Sequence, residues 1–208
     1  MIYTGIVAHT ARTHQAKQLA AAVGADFISF DTGLLGCDEN HYHVQTHLGG
    51  LVSDWSIILE DDALPIADFT AQAISALIHA PSPIVSFYLG RKRPPHYQNR
   101  IRQALTRANE TNAHWIVATR LLHAVAYAIR TPLLRSLTEH STDLPADENV
   151  SDWAQRYGHT VAYTVGSLCD HADLPSLAHH QDRAKRTPGR VAWQTGGHTI
   201  WTSKAVTL

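Results

Sequence analysis

The chain has 208 residues, 44% of them hydrophobic and 17% charged. That length suits one domain, or one domain plus a tail, and can hide roughly 70% of the unfolded surface without disulfide or metal staples. Lys plus Arg number 17 and Asp plus Glu 18, a net charge of −1, which excludes a globally basic nucleic-acid coat protein but not local basic patches.

The first half alternates short apolar runs with helix-prone segments. Residues 2–8 and 26–30 read as strands, the second by its two-residue alternation. Residues 11–23 read as a helix stopped by Gly24, and 38–53 as a second helix. Residues 55–59 have a buried-strand pattern, 66–79 repeat apolar residues at helical spacing before Pro81 and Pro83, and 84–88 form the next strand. Strands alternating with helices predict an α/β fold, a mixed but mostly parallel sheet between helices.

The second half is less regular. Residues 91–107 are polar and basic, and their two prolines predict a loop at the start. Strands are expected at 115–119, 124–129 and 160–165, and helices at 133–140 and 149–157. Thr131-Pro132 suggests an N-cap with proline at the first helical position. Residues 190–195 and 198–202 flank Gly196-Gly197 and predict a short C-terminal hairpin carrying Trp193 and Trp201. With 182–188 as the linker, the expected division is a domain over 1–181 and a tail over 182–208 packed on it.

Cys37 and Cys169 are too few for a disulfide framework, so a reducing compartment is expected. No window approaches ~18 consecutive apolar residues, and the N-terminus lacks the basic start and apolar core of a signal peptide. The expectation is a soluble, cytoplasmic protein without a membrane partner. With 15 histidines in the chain, a pair such as His43 and His47 is weak evidence for a metal. No dinucleotide-binding or P-loop glycine motif is present, and no zinc-protease His-Glu pair.

The sharpest feature is Trp55-Ser56-Ile57-Ile58-Leu59-Glu60-Asp61-Asp62, an apolar strand that ends in three carboxylates. Ligands of open α/β sheets bind outside the carboxyl ends of strands. Clustered carboxylates repel one another unless a cation sits among them, and Mg²⁺ or Mn²⁺ would accept these oxygens while keeping positions for substrate phosphates. The alternative is that Asp62 caps a helix starting near Ile66 and its neighbours are solvated.

Together with Gly36-Cys37-Asp38-Glu39-Asn40-His41, this strand resembles the GC-x-x-S-H and ILEDD elements of the family 25 glycosyltransferases, with Asn40 in place of the serine. His123-Ala124-Val125-Ala126-Tyr127-Ala128-Ile129 and Leu144-Pro145-Ala146-Asp147-Glu148 resemble that family's later half, so the likeness covers roughly residues 1–175. The resemblance implies a GT-A fold, a nucleotide-sugar donor such as a UDP-sugar, and a divalent metal. It implies Asp62 as metal ligand with His171 completing the coordination, and Glu60 and Asp61 on the donor. A nitrogen ligand tilts the preference toward Mn²⁺.

The resemblance to GT-A proteins also implies that the loop after the first strand, His9-Thr10-Ala11-Arg12, meets the nucleotide, and Arg12 could pair with a phosphate. Asp31 would accept from base or ribose; for both the loop and Asp31 the alternative is turn and N-cap chemistry. Asp147, with Glu148 beside it in a turn before a helix, is the candidate base for the acceptor hydroxyl; the competing reading is a helix N-cap with a first-turn acid.

Positive charge clusters in Arg91, Lys92, Arg93, Arg100, Arg102 and Arg107, and again in Arg183, Lys185, Arg186 and Arg190, ten of the 17 basic residues. Arg91, Lys92, Arg93, Tyr97 and Arg100 would suit a phosphate backbone with a stacked base. The favoured acceptor is therefore a 5-hydroxymethylpyrimidine in DNA, such as 5-hydroxymethylcytosine, in the manner of bacteriophage DNA modification. A lipopolysaccharide or capsule saccharide is the alternative acceptor. Two other classes stay open: a non-catalytic nucleic-acid-binding α/β module, and a metal-dependent nucleotidyltransferase or phosphoesterase.

Overall fold

The computed structural model describes residues 1–140, 142–174, 177 and 189–208. The expected linker at 182–188, with Arg183, Lys185 and Arg186, lies outside the described residues.

The apolar runs form strands β1 (Ile2–His9), β2 (Phe27–Asp31), β3 (Trp55–Glu60), β5 (Ile84–Ser86), β6 (Trp115–Ala118), β7 (Ala126–Arg130) and β8 (Val161–Thr164). With β10 (Ala205–Thr207) they make an eight-stranded sheet of order β10-β6-β8-β5-β7-β3-β1-β2. Four of its seven pairings are parallel: β10 with β6, β8 with β5, β3 with β1, and β1 with β2. β4 (Ala63–Pro65) and β9 (Cys169–His171) pair antiparallel as a separate two-stranded ribbon.

Helices cover both faces, as a mixed sheet buried on two sides requires. On one face, α1 (Thr13–Val23) and α3 (Phe69–Ile78) bury Leu19, Phe69 and Leu77 against Ile57, Leu59 and Ala128. The other face is covered by α2 (Cys37–Gly49), α4 (Gln98–Thr111), α5 (Thr131–Glu139) and α6 (Ala146–Arg156). These bury Val44, Ile101, Leu134 and Trp153 against Ile58, Tyr127 and Ile129. Successive strand residues point to opposite faces, so Ile57 and Ile58 enter different cores. Each fully buried aliphatic side chain of this kind stabilises the fold by about 1.5–3 kcal/mol. Gly5 lets α2 approach closely: a Cβ there would meet Val44 Cγ1 at 2.6 Å.

Several local expectations shift. The helix that ends at Gly24 is preceded by a 3-10 turn at Thr10–Arg12, where His9 Nδ1 accepts from the Ala11 amide. Gly24 stops the helix in the left-handed conformation, at φ 65°. Thr131 is not an N-cap; it lies inside α5, and its hydroxyl bonds Ser53 and Ser56 instead. The helix expected from 149 starts at Ala146, so Asp147 and Glu148 sit in its first turn rather than ahead of it. The basic stretch is mostly helix, because 98–111 turns its apolar residues Ile101, Ala104, Leu105 and Ala108 inward.

The described residues 189–208 pack against the sheet and its loops, and 190–195 pairs elsewhere than with 198–202. Ala192 bridges Gly90, Thr195 bridges Ser167, and β10 extends the main sheet beside β6. The two tryptophans explain the preference: Trp201 is buried against Trp115 with Nε1 donating to Gln72, and Trp193 Nε1 donates to Gln98. No helix among the described residues is long and apolar enough to cross a membrane.

Candidate functional site

Strands β1, β2, β3, β5 and β8 run in one direction, so their carboxyl ends share one edge of the sheet. His9, Asp31 and Glu60 are the last residues of three of them. The chain leaves β3 through Asp61 and Asp62 and enters β4. The α3 cap position belongs to Asp68, so Asp62 does not cap that helix.

Asp61 is fixed by β1. Its amide donates to Val7 O at 3.0 Å, and its Oδ2 accepts from the His9 amide at 2.8 Å. Arg12 crosses from the 3-10 turn and bonds Asp61 Oδ1 and Asp62 Oδ2, each at 2.8 Å, with its side chain only 12% exposed. The expected phosphate ligand is thus also the resident cation of the acidic pair.

The β4–β9 ribbon brings His171 opposite Asp62. Ala63 pairs with His171, the Ala172 amide donates to Asp62 O, and His171 Nε2 lies 3.5 Å from Asp62 Oδ2. Burial opposes ionisation of Asp62, yet the bond and charge of His171 and the charge of Arg12 hold its pKa below the usual carboxylate value. At Asp61 burial prevails, and the pKa rises despite the His9 amide and Arg12.

Asp62 Oδ1 is buried and has no hydrogen-bond partner among the described residues. A carboxylate with one buried oxygen unpartnered and the other 3.5 Å from an imidazole nitrogen offers donors that a divalent cation takes when substrate phosphates complete its shell. The residues therefore fit the metal that the sequence suggested.

Glu60 turns away from this pair. Its Oε1 lies 3.1 Å from His41 Nε2. His41 Nδ1 is 3.2 Å from the Tyr127 hydroxyl, which also accepts from Gln45 Nε2 at 3.0 Å. Asp147 lies within the field of Glu60 and His41. Burial first, then the charges of Glu60 and Glu148, push its pKa up to about 7. Glu148 is exposed and shares only the start of α6.

Asp31 is spent on the backbone. Its oxygens accept from the amides of Leu34, Leu35 and Gly36, which also lowers its pKa against the effect of burial. A ribose or base contact has to compete with those bonds. Thr10 is exposed, and its carbonyl accepts from the Thr13 hydroxyl. Asn40, which replaces the family serine, is buried and ties β1 to β2 by donating to Ala8 O and Ser29 O.

The basic residues are dispersed. Arg91 stacks on Trp193 at 5.2 Å and donates to its carbonyl. Arg100 stacks on Tyr97 at 5.3 Å and donates to Leu208 O. Lys92 is exposed and Arg93 half-buried. The loop reaches the acidic edge through His123, which interacts with the Arg93 backbone and packs on Tyr88; Tyr88 in turn packs on His171. Burial, then the charge of His171, push the His123 pKa down to about 4, so its ring is neutral.

No family model matches the sequence, and no curated protein matches it. Solved structures similar to it include an inositol-1-phosphate CTP transferase from T. maritima, at 10% identity and TM-score 0.41 over 78% of this chain and 65% of that one. The chain thus spans about two thirds of that neighbour's length. A197 from STIV is similar at 13% identity and TM-score 0.49, over 96% of this chain and 98% of that one. A CMP:2-keto-3-deoxy-manno-octonic acid synthetase complexed with CTP is similar at 12% identity and TM-score 0.39, over 78% and 88%. Likenesses this distant carry no statement about the activity of this chain.

Sequence reading missed Cys37, Gln45, Tyr127 and His123 as members of this edge. The spacing of Cys37 and His41, four apart on a helix, was a readable signal. The partners they meet on β3 and β7 were not.

Proposed function

We propose that the chain is a glycosyltransferase that takes a sugar from a nucleotide-sugar donor at the carboxyl edge of β1 and β3. The observation that carries this reading is the Asp62 carboxylate at the end of β3, whose Oδ2 meets Arg12 and His171 while its buried Oδ1 has no hydrogen-bond partner among the described residues. Asp62 and His171 would hold the divalent metal, which when bound supplies Lewis-acid stabilisation of the leaving diphosphate. Arg12 adds a fixed positive charge beside it. His9 and Thr10 border the same edge and are assigned to the nucleotide, with Asp61 positioning Arg12.

Asp147 is assigned as the base that takes the acceptor hydroxyl proton. A carboxylate that titrates near neutrality is suited to that exchange. Burial, then the charges of Glu60 and Glu148, keep it there. Glu60 is a positioning residue through His41, and Asp31 through the 33–36 loop.

For the acceptor, a hydroxymethylated pyrimidine in DNA draws its support from the basic loop that borders the edge through His123. Arg91, Lys92, Arg93, Tyr97 and Arg100 would meet the phosphates and a stacked base. Arg91 and Arg100 would first have to be drawn from their present carbonyl partners.

The test is nucleoside diphosphate release from a panel of sugar nucleotides, with Mn²⁺ or chelator, with and without hydroxymethylated DNA. Metal-dependent release that disappears in Asp62→Asn is expected. Release indifferent to that DNA would move the acceptor to saccharides. Pyrophosphate as product would replace glycosyl transfer by nucleotidyl transfer, and no turnover with any donor would overturn the enzymatic reading.

A further inference from the structure

Cys37 and His41 stand four residues apart on α2 and so share one face of the helix. Glu60 closes β3. One ligand atom from each lies within 4.8 Å of the other two, and the His41–Glu60 pair is already at 3.1 Å. Tetrahedral zinc, with a metal–sulfur bond of about 2.3 Å and metal–nitrogen and metal–oxygen bonds of about 2.0–2.2 Å, would put its donors roughly 3.3–3.7 Å apart. The required movement is about the size of a side-chain adjustment.

The surroundings match such a site. Metal-bound histidines are oriented by a partner on the other ring nitrogen, and here Nδ1 faces the Tyr127 hydroxyl, itself held by Gln45. His41 is 1% exposed, so its ring cannot swing to water. A cysteine nucleophile activated by His41 fits less well. Both ring nitrogens are engaged, and burial, then the charge of Glu60, raise the thiol pKa rather than lower it. A bound divalent cation deprotonates such a thiol outright.

We propose that Cys37, His41 and Glu60 form a binding site for a thiophilic divalent cation of the zinc type, separate from the Asp62–His171 pair and with a fourth coordination position open to water or a substrate oxygen. Sulfur and nitrogen donors select zinc over magnesium or calcium. Coordination releases the thiol proton to solvent, and the neutral imidazole binds through Nε2 while Nδ1–H donates to Tyr127. The ion ties the start of α2 to the end of β3. This site requires no donor and no reaction, so it stands apart from the glycosyltransferase reading.

The experiment uses the whole chain, stripped with chelator and titrated with Co²⁺ alone. A thiolate-to-cobalt charge-transfer band in the near ultraviolet is expected, bleached by Zn²⁺, retained in Asp62→Asn and lost in Cys37→Ser. A Tyr127→Phe variant should bind ~10-fold more weakly, as loss of an outer partner does elsewhere. Because the serine variant could fail to fold, a second measurement uses the unaltered chain: iodoacetamide labelling of Cys37 with and without Zn²⁺, read by peptide mass spectrometry. Cys169 is fully buried and serves as the internal reference. Slower labelling of Cys37 with Zn²⁺ supports the site. Equal labelling, absence of the band, or a band that survives in Cys37→Ser overturns it.

Discussion

Replacing Asp147 by Asn should make the folded protein more stable at alkaline pH, the reverse of what removing a paired carboxylate does. The ordinary aspartate value of 3.8 is raised to about 7 in the fold. Burial is the first cause and Glu60 the second. Between those values the folded state keeps a proton that the unfolded chain has lost. Stability from this group is therefore full below the unfolded pKa and is lost as pH rises through the folded one. At about 1.4 kcal/mol per pKa unit, the folded state carries a ceiling of ~4 kcal/mol at pH 8 and ~1.5 kcal/mol at pH 5. Asp147 is only half-buried by residue exposure, and screening reduces the ceiling. The gain from Asp147→Asn should thus grow by ~1–2 kcal/mol between pH 5 and pH 8. Urea unfolding of both proteins at the two pH values, with chelator present, measures it. A difference that stays flat across that range would mean that Asp147 titrates as an ordinary surface acid and would remove its qualification as a base.

Arg12→Ala leaves the buried Asp61 and Asp62 without their shared cation, and a loss of ~2–4 kcal/mol at neutral pH is expected in urea unfolding, partly recovered by Mn²⁺. A loss below ~1 kcal/mol would show that the pair is solvated. Asp31→Ala should abolish hydrogen-exchange protection at the Leu34, Leu35 and Gly36 amides and leave β1 protected; retained protection there would refute its role as anchor of the loop. Gly5→Ala should cost ~1–3 kcal/mol, since its Cβ would fall 2.6 Å from Val44 Cγ1; an unchanged melting temperature would mean that α2 can step back freely. If DNA is the acceptor, Arg91→Ala with Arg93→Ala should weaken DNA binding and flatten its salt dependence, and an unaltered salt slope would exclude this loop as the contact.

The parts of the site that the sequence disclosed are those in which chemistry and local pattern coincide. An apolar strand ending in Glu60-Asp61-Asp62 is visible as a string, because a strand that runs into three acids has few other readings. His171 was placed beside Asp62 through the resemblance, and the β4–β9 ribbon accounts for that closeness although neither three-residue strand is readable by period. Asp31 was open to two readings for a general reason: an acid at a strand end looks the same whether it faces a ligand or three backbone amides, and the structure shows the amide bonds.

By itself the sequence determined the alternation of strands and helices, the apolar faces that must be buried, and the position of the acids at a strand end. These follow from period and propensity, which act over a few residues. Only the tertiary structure decided which charges meet. Arg12 and Asp61 are 49 residues apart, and His41 and Tyr127 are 86 apart. The strand order that brings β3 between β1 and β7 joins them. The same closure sends the C-terminal tryptophans to Gln98 and Gln72 and not to each other, since two strands alone bury too little apolar surface to be stable in water. Glu60 was readable as an acid; that it turns to His41 and Cys37 while Asp62 turns to His171 was settled by packing.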